Sequence, residues 1–105
     1  MQYTLFIYGS LCDPALCKKL LGKNVERMPA TLPGFRRKRL RGYAYPVARK
    51  ESEVAIRGTL LLGLSKSDLQ KLDAYEEIPH GPYQRIWVFV RAGDRRMRAF
   101  TYAGK

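Results

Sequence analysis

The polar and apolar positions of the chain show the two-residue alternation and the short apolar runs that are typical of β-strands. Aromatic and β-branched residues predict strands over residues 2–8, 54–64 and 83–90. Residues 92–94 predict a hairpin turn, after which residues 95–103 return as a strand partner. Prolines and a glycine interrupt residues 25–42, and residues 42–47 predict an edge strand or a loop because they contain Pro46.

Two short helices are predicted between the strands. The first begins at Asp13, since aspartate caps a helix and the proline that follows suits its first position, and Gly22 ends it. The second covers residues 65–75, where Ser65 and Asp68 have the spacing of a capping box.

The order of these elements predicts an α+β fold. About five strands come mostly without intervening helices, which favours a mixed, mainly antiparallel sheet of five to six strands. So many strands in 105 residues are expected to curl into a barrel-like sheet, since closure removes exposed edges. Two or three short helices are expected to flank it.

Glu76 is the first candidate for chemistry. At about 100° per residue it falls between Leu69 and Leu72, on the apolar side of the second helix. Asp73 and Glu77 fall towards the flank and are interpreted as solvated surface charges. A carboxyl in an apolar cleft has a raised pKa, which suits a general acid/base at neutral pH. The alternative is that Glu76 fixes a loop or pairs with a nearby arginine.

The turn after the first strand is the second candidate. It contains Tyr8, Gly9, Ser10 and Leu11. Glycine lets the backbone approach a ligand closely, and the amide N–H groups of a strand-to-helix turn bind carboxylates or stabilise an oxyanion. On its own, this sequence favours an ordinary structural turn.

Several separated motifs add to these two candidates. The first strand ends in Leu-Phe-Ile-Tyr-Gly-Ser-Leu, and Leu-Asp-x-Tyr-Glu follows at residues 72–76. Gly-x-Tyr-x-Arg-x-x-Val stands at residues 81–88, Tyr-Pro at residues 45–46 and Gly-Thr-Leu at residues 58–60. In this order they resemble the γ-glutamylcyclotransferase-like (AIG2-like) family over nearly the whole chain, and the set is far more specific than either candidate alone.

The resemblance implies a barrel-like sheet with a central cavity and a cyclotransferase activity. The α-amine of a γ-glutamyl amine or peptide would attack its own γ-carbonyl and release 5-oxoproline, with Glu76 as the general acid/base. The residues implied to bind the substrate are Tyr8, Gly9, Ser10, Leu11, Tyr45, Pro46 and Tyr83. Tyr83 and Tyr102 are candidates for shaping the pocket, although aromatic packing on a strand is the favoured interpretation of both. No cofactor is implied.

Composition sets further bounds. The length of 105 residues predicts one domain, 1–105, and 46% hydrophobic residues exclude a wholly disordered chain. No apolar run approaches the ~20 residues that a membrane helix needs. Without a signal peptide ahead of the first strand, a cytoplasmic location and no membrane contact are expected. Two cysteines and one histidine predict neither a disulfide framework nor a metal site.

The net charge is the unusual property. Twenty Lys and Arg against nine Asp and Glu give +11, a balance that favours anionic partners. The alternative function is therefore a nucleic-acid-binding module, with basic residues at 36–41 beside Tyr43 and Tyr45, and again at 91–98. A third interpretation is a family member that binds a small metabolite without turnover. A small γ-glutamyl molecule is the favoured partner, and the sequence leaves monomer and homodimer open.

Overall fold

The computed structural model describes residues 1–39, 41–42 and 46–105. In these residues five strands and two α-helices occur in the order β1, α1, β2, β3, α2, β4 and β5. Their bounds are β1 Tyr3–Ile7, α1 Pro14–Leu21, β2 Glu26–Arg39, β3 Pro46–Leu64, α2 Lys66–Tyr75, β4 Tyr83–Ala92 and β5 Arg95–Gly104. A single 3-10 turn, Ser10–Cys12, separates β1 from α1 in this part of the chain. The predicted α+β class is confirmed.

The five strands close into a barrel in the order β1–β3–β2–β4–β5, with β5 returning to β1. The β1–β3, β2–β3, β2–β4 and β4–β5 pairs are antiparallel. The β1–β5 pair is parallel, and β3 also meets β5 in parallel where Ala48 is opposite Ala103. The predicted mixed, mainly antiparallel barrel is therefore confirmed, and closure leaves its strands with few exposed edges.

The β2–β3 hairpin is longer than the sequence predicts. The expected break within residues 25–42 is wrong, because β2 continues through both prolines as a 14-residue strand. Pro29 and Pro33 have exposed side chains, and β2 shares one residue pair with β4, so a near-edge position tolerates their missing N–H groups. A positive φ of 78° at Gly34 accompanies a register shift. From Pro33 to Phe35 the β2 strand advances two residues while β3 goes from Ala55 to Lys50, so the extra residues of this bulge belong to β3.

The third strand is also longer than predicted. The pattern places its start at residue 54, whereas β3 begins at Pro46 and has 19 residues. Residues 42–47 were expected as an edge strand or a loop; Pro46 and Val47 belong to β3, and residues 43–45 lie outside the described residues. Gly58 lets β3 cross β1 closely, because a Cβ there would lie 2.3 Å from the carbonyl oxygen of Ile7.

Apolar side chains form two packed groups, one on each face of the sheet. Phe6 of β1 and Tyr8, which follows that strand, point into the barrel with Leu32, Leu60 and Val90 from other strands. The alternate residues of β1 point outward and pack against α1 and α2, which contribute Cys17, Leu21, Leu69 and Leu72. Since β1 is buried on both faces, its sequence is a continuous apolar run without polar alternation.

The predicted helix starts are confirmed. The Asp13 side chain accepts a hydrogen bond of 3.0 Å from the backbone N–H of Ala15 at the start of α1. At the start of α2, the Ser65 hydroxyl accepts from the Asp68 N–H, and the Asp68 carboxylate accepts from the Ser65 N–H. This capping box fixes where α2 begins and so sets where its far end lies.

A buried tyrosine hydroxyl joins the strands where β3 meets β5. Tyr8 accepts a hydrogen bond of 2.9 Å from the backbone N–H of Ala48 in β3. The same hydroxyl donates a hydrogen bond to the backbone carbonyl of Tyr102 in β5. These two bonds bridge strands that share only one residue pair, Ala48 with Ala103.

We expect Tyr8→Phe to lower the free energy of unfolding by about 1–3 kcal/mol, because it leaves two buried backbone groups unpaired. Urea denaturation measures the change. The matched control is Tyr3→Phe at the start of β1, where the hydroxyl has no hydrogen-bond partner among the described residues. Equal losses in the two variants would contradict the bridging role.

Candidate active site

A cavity of about 250 Å³ opens at the end of the barrel where β1 and β5 finish and β4 begins. Its walls include seven of the eight predicted site residues: Tyr8, Gly9, Ser10, Leu11, Pro46, Glu76 and Tyr83. The eighth, Tyr45, lies outside the described residues. Residues that are sixty or more positions apart in sequence therefore share one concave surface.

The 3-10 turn forms the wall of the cavity that follows β1. The amide N–H of Cys12 donates to the carbonyl of Gly9, and that of Asp13 donates to the carbonyl of Ser10. The first amides of such a turn have no partner within it, and no acceptor among the described residues takes the N–H of Ser10 or Leu11. These two amides are free to bind an anionic or carbonyl oxygen.

Arg27 of β2 holds this turn from behind. Its guanidinium donates hydrogen bonds of 3.0 Å to the carbonyls of Leu11 and Cys12. The planar fork of arginine matches two adjacent carbonyl oxygens, so the Leu11–Cys12 and Cys12–Asp13 peptides, which follow the two free amides, are held without a ligand. The sequence pattern did not indicate this contact, because residue 27 precedes an expected break and is far from the turn in sequence.

Glu76 lies at the other wall, immediately after the last turn of α2. Its backbone N–H donates to the carbonyl of Leu72, and its partly buried carboxyl faces the cavity. The second helix ends at Tyr75, as predicted, and Glu76 is its C-cap residue. Among the described residues its carboxyl has no hydrogen bond or ion pair, so pairing with an arginine is not observed.

The environment of Glu76 favours its protonated form. Burial removes water from the carboxyl, and the negative charge of Glu77 adds to this effect. Together they raise the pKa of Glu76 from an ordinary 4.5 to about 7. A group with this pKa is present in both its acid and its base form near neutral pH.

Asp73 and Glu77 were expected to be solvated surface charges, but Asp73 is hydrogen-bonded and Glu77 acts on the site. Asp73 accepts hydrogen bonds from the Tyr102 hydroxyl at 2.6 Å and from the Arg85 guanidinium at 2.8 Å. Asp73 thus attaches the end of α2 to β5 and β4. Glu77 is exposed, but it borders the cavity and its charge acts on Glu76.

Tyrosines line much of the remaining wall. The hydroxyls of Tyr75 and Ser10 are 2.8 Å apart and join α2 to the 3-10 turn. The sequence did not predict this contact, because the two residues belong to different motifs. The Tyr83 hydroxyl donates to the carbonyl of Pro46 at 2.9 Å. Burial is the main cause that raises the pKa of both Tyr8 and Tyr102 above the ordinary value, so both stay protonated.

Other chemical features of the described residues are limited. Within residues 1–39, 41–42 and 46–105, no three His, Cys, Asp or Glu side chains cluster as metal ligands would. Neither helix in this part of the chain is long and apolar enough to span a bilayer. The fold and the cavity thus define a closed, mixed β-barrel protein whose cavity is lined by a partly buried carboxyl and a turn with free amides.

Comparison with known proteins agrees with this class. The family profile "Gamma-glutamyl cyclotransferase, AIG2-like" matches residues 5–105. The chain therefore belongs to the γ-glutamyl cyclotransferase, AIG2-like family.

Curated relatives come from Arabidopsis thaliana. AIG2-like protein A and AIG2-like protein B are each 34% identical over 102 residues, which is 95% of this chain. The alignments cover 60% and 58% of those proteins, so the chain spans about three-fifths of the length of the relatives that it matches.

Solved structures share the fold. A solution structure of an Arabidopsis thaliana protein has a TM-score of 0.86 at 34% identity, covering 99% of this chain and 70% of that chain. A structure named "Gamma-glutamyl cyclotransferase" has a TM-score of 0.85 at 17% identity, covering 100% of this chain and 68% of that chain. At that identity the second likeness concerns the fold alone.

The raised pKa of Glu76 makes stability depend on pH. Between about 4.5 and about 7 the folded protein binds the proton that the unfolded chain has released, so this group lowers stability as the pH rises through that range. We expect Glu76→Gln to raise Tm relative to the wild type near pH 8, and the gain to shrink near pH 5.

Thermal denaturation at several pH values measures this difference. Glu26→Gln is the matched control, because Glu26 is exposed on β2 and lies outside the cavity wall. Its Tm difference from the wild type should not follow the Glu76 pattern. A Glu76→Gln difference that is the same at every pH would exclude a raised pKa for this carboxyl.

Proposed function

We propose that the protein is a γ-glutamyl cyclotransferase that releases 5-oxoproline from a γ-glutamyl amine or peptide. The carrying observation is the desolvated Glu76 carboxyl, which lines the same cavity as a turn with free amide N–H groups. Family membership supports the same reaction. A cavity of about 250 Å³ suits a small substrate held in one conformer.

The proposed reaction is intramolecular. The substrate's α-amine attacks its own γ-carbonyl carbon, a C–N bond forms, and a five-membered ring closes. The bond between the γ-carbon and the leaving nitrogen then breaks, which frees the amine and 5-oxoproline. Because both reacting groups belong to one molecule, the main task of the cavity is to fix the conformer that brings them together.

Glu76 would move the proton that this exchange requires. Its carboxylate takes a proton from the α-ammonium, so that the amine becomes nucleophilic. The resulting carboxylic acid then gives the proton to the leaving nitrogen. The ring nitrogen carries a second proton after the C–N bond forms; the regenerated carboxylate takes it, and it leaves with the released amine as an ammonium ion. A pKa of about 7 suits both steps, since neither form of the group is strongly disfavoured near neutral pH.

The amides of the 3-10 turn would stabilise the oxygen of the γ-carbonyl as it becomes negative, or hold the substrate's α-carboxylate. Two observations support this role. The N–H groups of Ser10 and Leu11 are free, and the carbonyls of the same two peptides, those of Gly9 and Ser10, are held by the N–H groups of Cys12 and Asp13. Arg27 holds the next two carbonyls of the turn. Donors that are already oriented need no reorganisation when charge develops, which makes them effective in catalysis.

Asp73 would act as a positioning residue for Glu76. It lies three residues before Glu76 and is bonded to both Arg85 and Tyr102, so the end of α2 is fixed to two strands. The hydrogen bond between Ser10 and Tyr75 ties that end to the amide turn. The acid/base and the oxyanion donors would thus keep a constant separation.

We expect Glu76→Gln to lower turnover by at least ~10²-fold, the scale of acid/base catalysis, because an amide cannot carry the proton. The measurement is 5-oxoproline release from a panel of γ-glutamyl amino acids, amines and isopeptides. Binding of 5-oxoproline should persist. Full activity in this variant would exclude Glu76 as the acid/base, and no turnover by the wild type on any substrate would favour metabolite binding without catalysis.

Glu77→Gln is the companion variant. It removes a charge that raises the pKa of Glu76 but leaves the Glu76 carboxyl in place. The maximal rate should be nearly unchanged, and the acidic limb of the pH–rate profile should move to lower pH. Glu26→Gln removes an exposed carboxyl of β2 and should change neither the maximal rate nor the acidic limb of the profile.

We expect Gly9→Val to abolish or strongly weaken binding of 5-oxoproline while the protein stays folded. A Cβ at Gly9 meets no protein atom within 4 Å, so a valine would project into open space beside the cavity rather than clash. We expect Kd to rise by about tenfold or more, equivalent to at least ~1.4 kcal/mol. Ser10→Ala should be milder, because its backbone N–H remains.

Calorimetric titration and Tm are measured on the same Gly9→Val protein. Wild-type affinity in a folded variant would move the substrate site away from this turn, towards Pro46 and Tyr83. A large fall in Tm would instead indicate that the turn is structural.

A further inference from the structure

Three aromatic rings lie on the outer face of the β4–β5 hairpin. Val88 and Val90 of β4 point into the barrel, so Trp87 and Phe89 point outward, with exposed fractions of 47% and 53%. Trp87 is opposite Phe100 of β5, and their ring centroids are 3.6 Å apart. We call Trp87, Phe89 and Phe100, with the arginines described next, the outer platform.

Arginines surround these rings. The cross-strand pairs on the same face are Phe89 with Arg98 and Arg91 with Arg96. The guanidinium carbon of Arg98 lies 4.6 Å from the Trp87 ring centroid, and that of Arg96 lies 4.2 Å from the Phe89 ring centroid. Among the described residues, neither arginine has an acidic partner, although the chain forms ion pairs elsewhere.

The outer platform is separate from the cavity. None of its residues belongs to the cavity wall, and the rings lie on the opposite side of the sheet from the barrel interior. The family reaction therefore gives no reason for large apolar rings to stay exposed there. Exposed aromatic side chains on a soluble surface are usually interaction sites.

We propose that the outer platform binds single-stranded nucleic acid. The guanidinium groups of Arg98 and Arg96, which lie over Trp87 and Phe89, would move to the phosphates, and bases would stack on the ring faces that they leave. Arg91 would hold a further phosphate. Stacking on aromatic side chains accepts any base, and arginines both stack and bind phosphate. The net charge of +11 gives the long-range attraction for such a polyanion.

Geometry favours a single strand over a duplex. Trp87 and Phe89 are two positions apart on a strand, about 6.7 Å, which is wider than the roughly 3.4 Å step of stacked bases in a duplex. Two rings at this spacing accommodate bases that are already unstacked. A duplex closes its base faces and would meet only the arginines.

Trp87 is the only tryptophan of the sequence, so its fluorescence reports on the platform directly. We would titrate the protein with mixed-sequence single strands of about 12 nucleotides, RNA and DNA separately, and with the matching duplex. We expect quenching by single strands, weaker binding of the duplex, and a steep loss of affinity between about 50 mM and about 200 mM salt.

Two variants separate stacking from charge, measured by anisotropy of a labelled strand. Trp87→Ala with Phe89→Ala should weaken binding by about tenfold for each ring. Arg96→Gln with Arg98→Gln should lower the slope of log K against log salt by about 1.4. The control is Lys18→Gln with Lys19→Gln, an equal loss of charge on the exposed face of α1, which should have a smaller effect.

The Arg96 and Arg98 variant retains all three rings, so it tests the proposal even if the ring variant fails to fold. The release of 5-oxoproline should be unchanged in each folded platform variant, so failure of the proposed reaction and failure of this proposal are distinguishable. Absence of binding at low salt, or equal losses in the lysine control, would overturn the proposal. Self-association abolished by the ring variant, without oligonucleotide binding, would also overturn it in favour of a second copy of the chain.

Discussion

The hydroxyl of Tyr8 supports the barrel, which β5 closes by pairing with β1, at the point where β3 meets β5. It bridges an amide of β3 and a carbonyl of β5, strands that otherwise share a single residue pair. Burial raises its pKa, so it keeps the hydrogen that it donates. The ring of the same side chain forms part of the cavity wall. One residue thus contributes both to the contact between β3 and β5 and to the cavity wall, which leaves little freedom for substitution there.

Most of the fold could be predicted because its signals are local. The caps at Asp13 and Ser65 and the turn at residues 92–94 depend on neighbours within a few positions. The length of β2 could not, since two prolines argue against a strand until the neighbouring strands are known. The first residues of β3 could not be predicted either, because they pair with residues 35–39 of β2.

The candidate site divides in the same way. Glu76 was identifiable because a helical repeat places it away from the solvated face, even though the helix ends one residue earlier. The support around it was not identifiable, because Asp73 meets Arg85 and Tyr102 through contacts spanning 12 and 29 residues. Local periodicity identifies a carboxyl that is out of place, but not the groups that hold it there.

The position of α2 outside the barrel has a consequence for dynamics. Leu69 and Leu72 attach this helix to the outer apolar group, whereas the Tyr8 bridge and the barrel interior involve strands alone. Such an arrangement allows a helix to open as a partial unit while the sheet persists. Amides of α2 should then exchange with solvent faster than those of β1, and a molecule could lose Glu76 from its cavity for a moment without unfolding.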